Sequence, residues 1–154
     1  MGAALFYHVT RSPVEEVVVT LLTRALAQGW RVDLRGADPA RMAALDDRLW
    51  QGPPEGFLPH GRAGGPHDAR QPVLLTTGAA GRAANDPQAV MAIDGATVTP
   101  EDLAAHERVW ILFDGNDPAA VDAARGQWRA LTGAGAKAQY WSEEQGRWEK
   151  KTET

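Results

Sequence analysis

Val109-Trp110-Ile111-Leu112-Phe113 runs apolar without a break and then gives way to Asp114-Gly115 and Asp117-Pro118. An uninterrupted apolar run of this length reads as a strand buried on both faces, deep in a sheet. Aspartate followed by proline reads as a helix cap and first helical position. The stretch is therefore strand, turn, helix, and the same unit recurs outward from it. Toward the N-terminus, Thr99-Pro100-Glu101-Asp102 opens a short helix through His106, and Val90–Asp94 and Pro72–Thr77 read as strands. Asp38-Pro39 starts a helix whose buried stripe is Met42, Leu45 and Leu49, and Arg31–Arg35 is a strand of alternating polarity. Ser12-Pro13-Val14-Glu15 has the form of a capping box, and Val14, Val17, Val18, Leu21, Leu22 and Ala25 then follow helical spacing up to Gly29. Leu5–Val9 is the first strand. Toward the C-terminus the last long helix ends near Gly133, and Lys137–Ser142 is a final strand.

Strands alternating with helices predict an α/β fold: a single-domain layered sheet, largely parallel, with helices packed on both faces. The domain spans 1–142, and 143–154 reads as a charged, flexible tail. Residues 61–71 and 78–87 read as loops.

Composition narrows the function. A chain of 154 residues suits one domain with a real core. A formal net charge of −4 disfavours coating duplex DNA. The absence of cysteine excludes disulfides, thiolate zinc sites and cysteine nucleophiles, and fits a reducing cytoplasm. The first residues have no signal-peptide pattern, and no apolar run approaches the ~18 residues of a membrane span.

Catalytic equipment is sparse. His8, His60, His67 and His106 share no metal-ligand spacing. Ser12 and Ser142 are the two serines, which argues against a Ser-His-Asp hydrolase. Gly61–Gly65 and Gly78–Gly81 lack phosphate-loop spacing. The enzymatic alternative rests on Asp94 and Asp114, each following an apolar strand, where two carboxylates could hold magnesium for phosphate or nucleotide chemistry. Each is also followed by glycine, as turn dipeptides are. No cofactor is expected.

The segment Asp46 to His60 points instead to an adaptor. Trp50 ends a helix, Pro53-Pro54 turn the chain, and Phe57 follows before Pro59-His60. Two large aromatics on a stiff turn suit a surface that docks an apolar partner, or a small satellite core under the loop.

With Phe6-Tyr7, Leu45-Asp46-x-x-Leu49-Trp50 to Phe57-Leu58-Pro59-His60, Pro72-Val73 and Ala124-Arg125-x-x-Trp128-Arg129 in this order, the chain resembles the chi subunit family of bacterial DNA polymerase III holoenzyme. The resemblance implies a Rossmann-like sheet without a nucleotide site and a non-catalytic bridge in DNA replication, the polymerase reaction belonging to another subunit. It implies that Trp50 and Phe57 face the psi subunit of the clamp loader, or a helicase at the same surface. It implies that Arg125, Trp128 and Arg129 hold the acidic C-terminal tail of single-stranded DNA-binding protein, with no sequence-specific nucleic-acid binding and no membrane contact. The chain departs from the family where a lysine can precede the helix arginine by one turn: Val121 stands there, and Trp128-Arg129 replaces a tyrosine-lysine pair.

The chemistry of such a site is direct. Arg125 and Arg129 are neighbours on one helix face with Trp128 beside them. A guanidinium grips a carboxylate bidentately and an indole walls a slot for a phenyl ring. Val121, Ala124, Trp128 and Leu131 also follow core spacing, so the indole can serve the core, the slot or both.

Overall fold

The computed structural model describes residues 2–51, 59–77, 82–143 and 146–153. In chain order these form β1 (Ala3–Val9), α1 (Val14–Ala27), β2 (Val32–Gly36), α2 (Pro39–Trp50), β3 (His60–Arg62), β4 (Val73–Thr77), β5 (Ala89–Ala92), α3 (Pro100–Ala105), β6 (Arg108–Asp114), α4 (Pro118–Gly133), β7 (Ala138–Ser142) and β8 (Glu149–Glu153). The strands make one sheet in the order β3-β4-β2-β5-β6-β1-β7-β8. Each pairing is parallel except the last, where β8 runs antiparallel to β7.

The strand at Val109–Phe113 is buried throughout and lies in the sheet interior between β5 and β1. Successive strand residues point to opposite faces, and here they feed two separate hydrophobic clusters. Trp110 and Leu112 join Val32, Leu34, Met91 and the buried stripes of α1 and α2. Val109, Ile111 and Phe113 join Phe6, Val90, Leu103 of α3, and Ala124 and Leu131 of α4.

The proline-led helix starts hold at three of four places. The Asp38 carboxylate accepts the Ala40 N–H, and the Asp117 carboxylate accepts the Ala119 N–H. Thr99 and Asp102 close a capping box. The fourth expectation is corrected: α1 begins at Val14 with Pro13 at the cap position, and no side chain caps it. The Ser12 hydroxyl instead donates to Glu143 at 3.0 Å, and the Glu15 carboxylate pairs with Arg41. α1 and α4 both end on a left-handed glycine. After α1, Gly29 has φ 79° and the Trp30 N–H reaches back to the Ala25 carbonyl at 3.1 Å; after α4, Gly135 has φ 91° and the Ala136 N–H reaches Leu131 at 3.0 Å.

Two segments differ from the sequence reading. Residues 61–71 are not wholly loop: β3 opens at His60, and Asp68–Arg70 makes a 3-10 turn. The C-terminal charged residues Glu149–Glu153 pair with β7 as an edge strand. The polar residues of β2, Asp33 and Arg35, are both about 1% exposed. β2 lies between β4 and β5, and Asp102 of α3 packs against it. Arg35 donates to Asp102 Oδ2 at 2.9 Å and to Asp33 Oδ2 at 3.1 Å, and the Thr76 hydroxyl donates to Asp33 Oδ1. Buried charge persists because it is paired and hydrogen-bonded.

Candidate functional site

α4 packs on the sheet against β6 and β7, and its Trp128 stands half-buried between core and solvent. The indole meets the Phe6 ring edge-on at 5.3 Å and the Tyr140 ring at 6.1 Å. Tyr140 is fixed in turn: its hydroxyl lies 2.6 Å from His8 Nδ1, while His8 Nε2 is 3.4 Å from the Gly115 carbonyl oxygen. A Cβ at Gly115 would overlap the His8 ring, so the bare backbone there is what lets the imidazole lie in place.

These side chains wall an open groove of about 490 Å³. Arg125, Trp128, Tyr140 and His8 form one part of its lining, and Ser142, Lys151 and Thr152 complete it from β7 and β8. A second hollow of about 640 Å³ shares His8 and Arg125 with the first and extends past Asn116, Thr10 and Val121. Arg125 thus sits where two arms meet. Arg125 and Arg129 are both exposed, and neither is held by a hydrogen bond or ion pair among the described residues. Arg129 lies one turn beyond Arg125 and is outside the groove lining. The structure therefore brings Arg125 and Trp128 together in a groove and leaves Arg129 on its flank.

Chemically, the groove offers an unengaged guanidinium, an indole face and a neighbouring ammonium. A carboxylate can sit against the guanidinium while an apolar ring lies on the indole.

His8, Tyr140 and Lys151 were not legible as site residues from the sequence. They come from three different strands, β1, β7 and β8. Period-two alternation would have put Tyr140 on the face of Ala138, and Phe6 on that of His8, but nothing local pairs those strands with α4.

Glu143 was missed as well. Its Oε1 accepts the N–H groups of Thr10 at 3.1 Å, Arg11 at 2.9 Å and Ser12 at 2.8 Å. Burial opposes its ionisation, but hydrogen bonds from Ser12, Arg11 and Thr10 outweigh that and hold the carboxyl below the ordinary glutamate range. Glu143 thereby ties the β1–α1 loop, which carries Thr10 and Arg11 of the second arm, to the end of β7.

The proposed partner patch is described in part. Trp50 is 54% exposed at the end of α2, with its ring 4.4 Å from that of buried His60. His60 Nε2 in turn lies 3.1 Å from Asp46 Oδ1. Phe57 lies outside the described residues.

Both carboxylates of the enzymatic alternative are locally engaged. Asp94 Oδ2 accepts from Arg41 Nε at 2.9 Å, and Asp114 Oδ1 accepts the Asn116 N–H at 2.9 Å. Among the described residues, no group of three or more His, Asp or Glu is arranged to hold a metal. None of the described helices is long and apolar enough to cross a membrane.

The fold is a mostly parallel α/β sheet with a cationic, aromatic groove along one helix. The chain belongs to the DNA polymerase III chi subunit (HolC) family, which its residues 1–139 match. A curated relative, the DNA polymerase III subunit chi of Pseudomonas aeruginosa, is 41% identical over 63 residues. That alignment covers 41% of this chain and 43% of the relative, so less than half of the relative's length is spanned.

Proposed function

We propose that this chain is a non-catalytic accessory subunit of a bacterial replicase, working in the cytoplasm. It bridges the clamp loader, through psi, to the acidic C-terminal tail of single-stranded DNA-binding protein. The sheet, with one hydrophobic cluster per face, is read as Rossmann-like and covered by helices on both faces. Tail binding is assigned to Arg125 and Trp128, with Arg129 as a flanking charge. Psi, or a helicase at the same surface, is assigned to Trp50 and Phe57.

The observation that carries the tail reading is Arg125, unengaged among the described residues and set beside a half-buried indole at the junction of two hollows. A tail ending in acidic residues, proline, phenylalanine and a free carboxylate needs that pairing. The guanidinium takes the carboxylate and the indole takes the ring. Family membership supports a replisome partner independently.

The test is calorimetric titration of a peptide ending in Asp-Ile-Pro-Phe. Wild-type protein should bind it weakly and salt-dependently. Arg125→Ala should weaken binding at least about tenfold with an unchanged urea midpoint, as loss of a charge-assisted bidentate contact implies. Equal binding by the variant would remove the tail reading.

A further inference from the structure

β8 lies beyond residue 139, where the family match ends, yet it forms one wall of the groove. Its register against β7 is irregular. Thr152 pairs with Tyr140 and Lys150 pairs with Trp141, leaving Lys151 as an extra residue between them. Such a bulge sets two residues against one and re-aims a side chain. Without it, Lys151 and Thr152 would point to opposite faces. With it, both line the groove on the Tyr140 face, while Lys150 stays opposite Trp141 on the face that also holds Tyr7 and Trp148.

We propose that Lys151, turned into the groove by this bulge, is a specificity-determining cation that contacts the acidic residues preceding the bound terminus. This rests on the tail-binding reading of the same groove. Three observations support it. Lys151 lies across the groove from Arg125, so the two positive charges face a shared space. Its ammonium is only loosely held: Glu149 Oε2 is 3.4 Å away and belongs to a carboxylate that also accepts from Arg147 at 2.9 Å. The helix position one turn before Arg125 is the uncharged Val121 and Arg129, one turn after it, is outside the groove lining, so the second cation lining this groove comes from β8. An acidic stretch leading to a carboxylate fits two cations set apart across a groove better than one alone.

The test uses the full chain and the same peptide at low salt. Lys151→Gln should weaken binding about two- to fivefold, as for an exposed ion pair. Lys150→Gln removes the same net charge from the other face and should leave affinity unchanged. A peptide in which each acidic residue preceding Ile-Pro-Phe is replaced by its amide should bind wild type and Lys151→Gln alike. Urea midpoints within error of wild type establish that β8 still pairs. If wild type binds and Arg125→Ala does not, but Lys151→Gln binds as tightly as wild type, this assignment is overturned and the tail reading stands. If Lys150→Gln weakens binding as much as Lys151→Gln, the effect is bulk charge and the bulge is irrelevant. If wild type fails to bind, the tail reading itself fails.

Discussion

Replacing Glu143 with alanine removes at one stroke the acceptor for the N–H groups of Thr10, Arg11 and Ser12 and for the Ser12 hydroxyl. The residue is 5% exposed, so water does not readily take over all of these bonds. A hydrogen bond to a charged group contributes about 1.5–3 kcal/mol. Three of the donors share one oxygen and Arg11 is exposed, so the contributions do not add fully, and Glu143→Ala should cost about 2–4 kcal/mol. Glu143→Gln keeps a carbonyl oxygen for the three N–H groups and should cost only about 1 kcal/mol. Urea unfolding at pH 7 measures both, as shifts of midpoint at constant slope. The pH dependence follows from the direction of the shift. The folded carboxyl titrates below the ordinary value of 4.5, so its contribution is present in full above that value and is lost as pH falls through the folded one. The gap between wild type and Glu143→Gln should therefore be open at pH 7 and close on acidification below 4.5. A Glu143→Ala protein within about 0.5 kcal/mol of wild type, the range of ordinary surface changes, would refute the reasoning.

The buried charges of β2 and α3 give an asymmetric pair. Burial opposes ionisation of Asp102, but Arg35 and Thr99 outweigh it and lower its pKa, whereas burial dominates at Asp33 and raises its pKa. Asp102→Ala, which strips Arg35 of a buried partner, should cost about 3–5 kcal/mol in urea unfolding, while Asp33→Asn should cost about 1 kcal/mol or less. Gly115→Ala forces the His8 ring aside; it should destabilise by about 1–3 kcal/mol through overpacking and shift the His8 and Tyr140 resonances, whereas an undisturbed His8 would contradict the geometry. Trp50→Ala should cost no more than about 1.5 kcal/mol, because the residue is half exposed and its ring packs on His60, yet weaken capture of a psi-like or helicase partner while sparing the tail peptide; pull-down and thermal melts read the two effects.

Much of the layer order could be read from short-range chemistry. Asp38-Pro39, Thr99-Pro100 and Asp117-Pro118 act within one turn of helix, and each forms the cap its residues suggest. Ser12-Pro13 looked the same, but its serine answers to Glu143, 131 residues away, and no window of sequence contains both. The interior strand at Val109–Phe113 announced itself through continuous apolarity. β3 and β8 did not, because edge strands are short or charged and lack an apolar signature. The burial of Asp33 and Arg35 was not legible either: the sequence shows only their alternating polarity, and it is the arrival of Asp102 from α3 that makes their burial tolerable. The candidate groove divides the same way. Arg125 and Trp128 are three apart on one helix and could be paired from spacing alone, whereas the opposing wall depends on how β1, β7 and β8 come together.

The groove's assignment turns on whether Arg125 receives a chain terminus. The most direct measurement is a four-way titration: the free-acid and C-terminally amidated forms of the Asp-Ile-Pro-Phe peptide, each against wild type and Arg125→Ala. Amidation should weaken binding to wild type nearly as much as Arg125→Ala weakens binding of the free acid, and should cost the variant little further, leaving a coupling of about 1.5–3 kcal/mol. Equal binding of acid and amide by wild type would contradict the account.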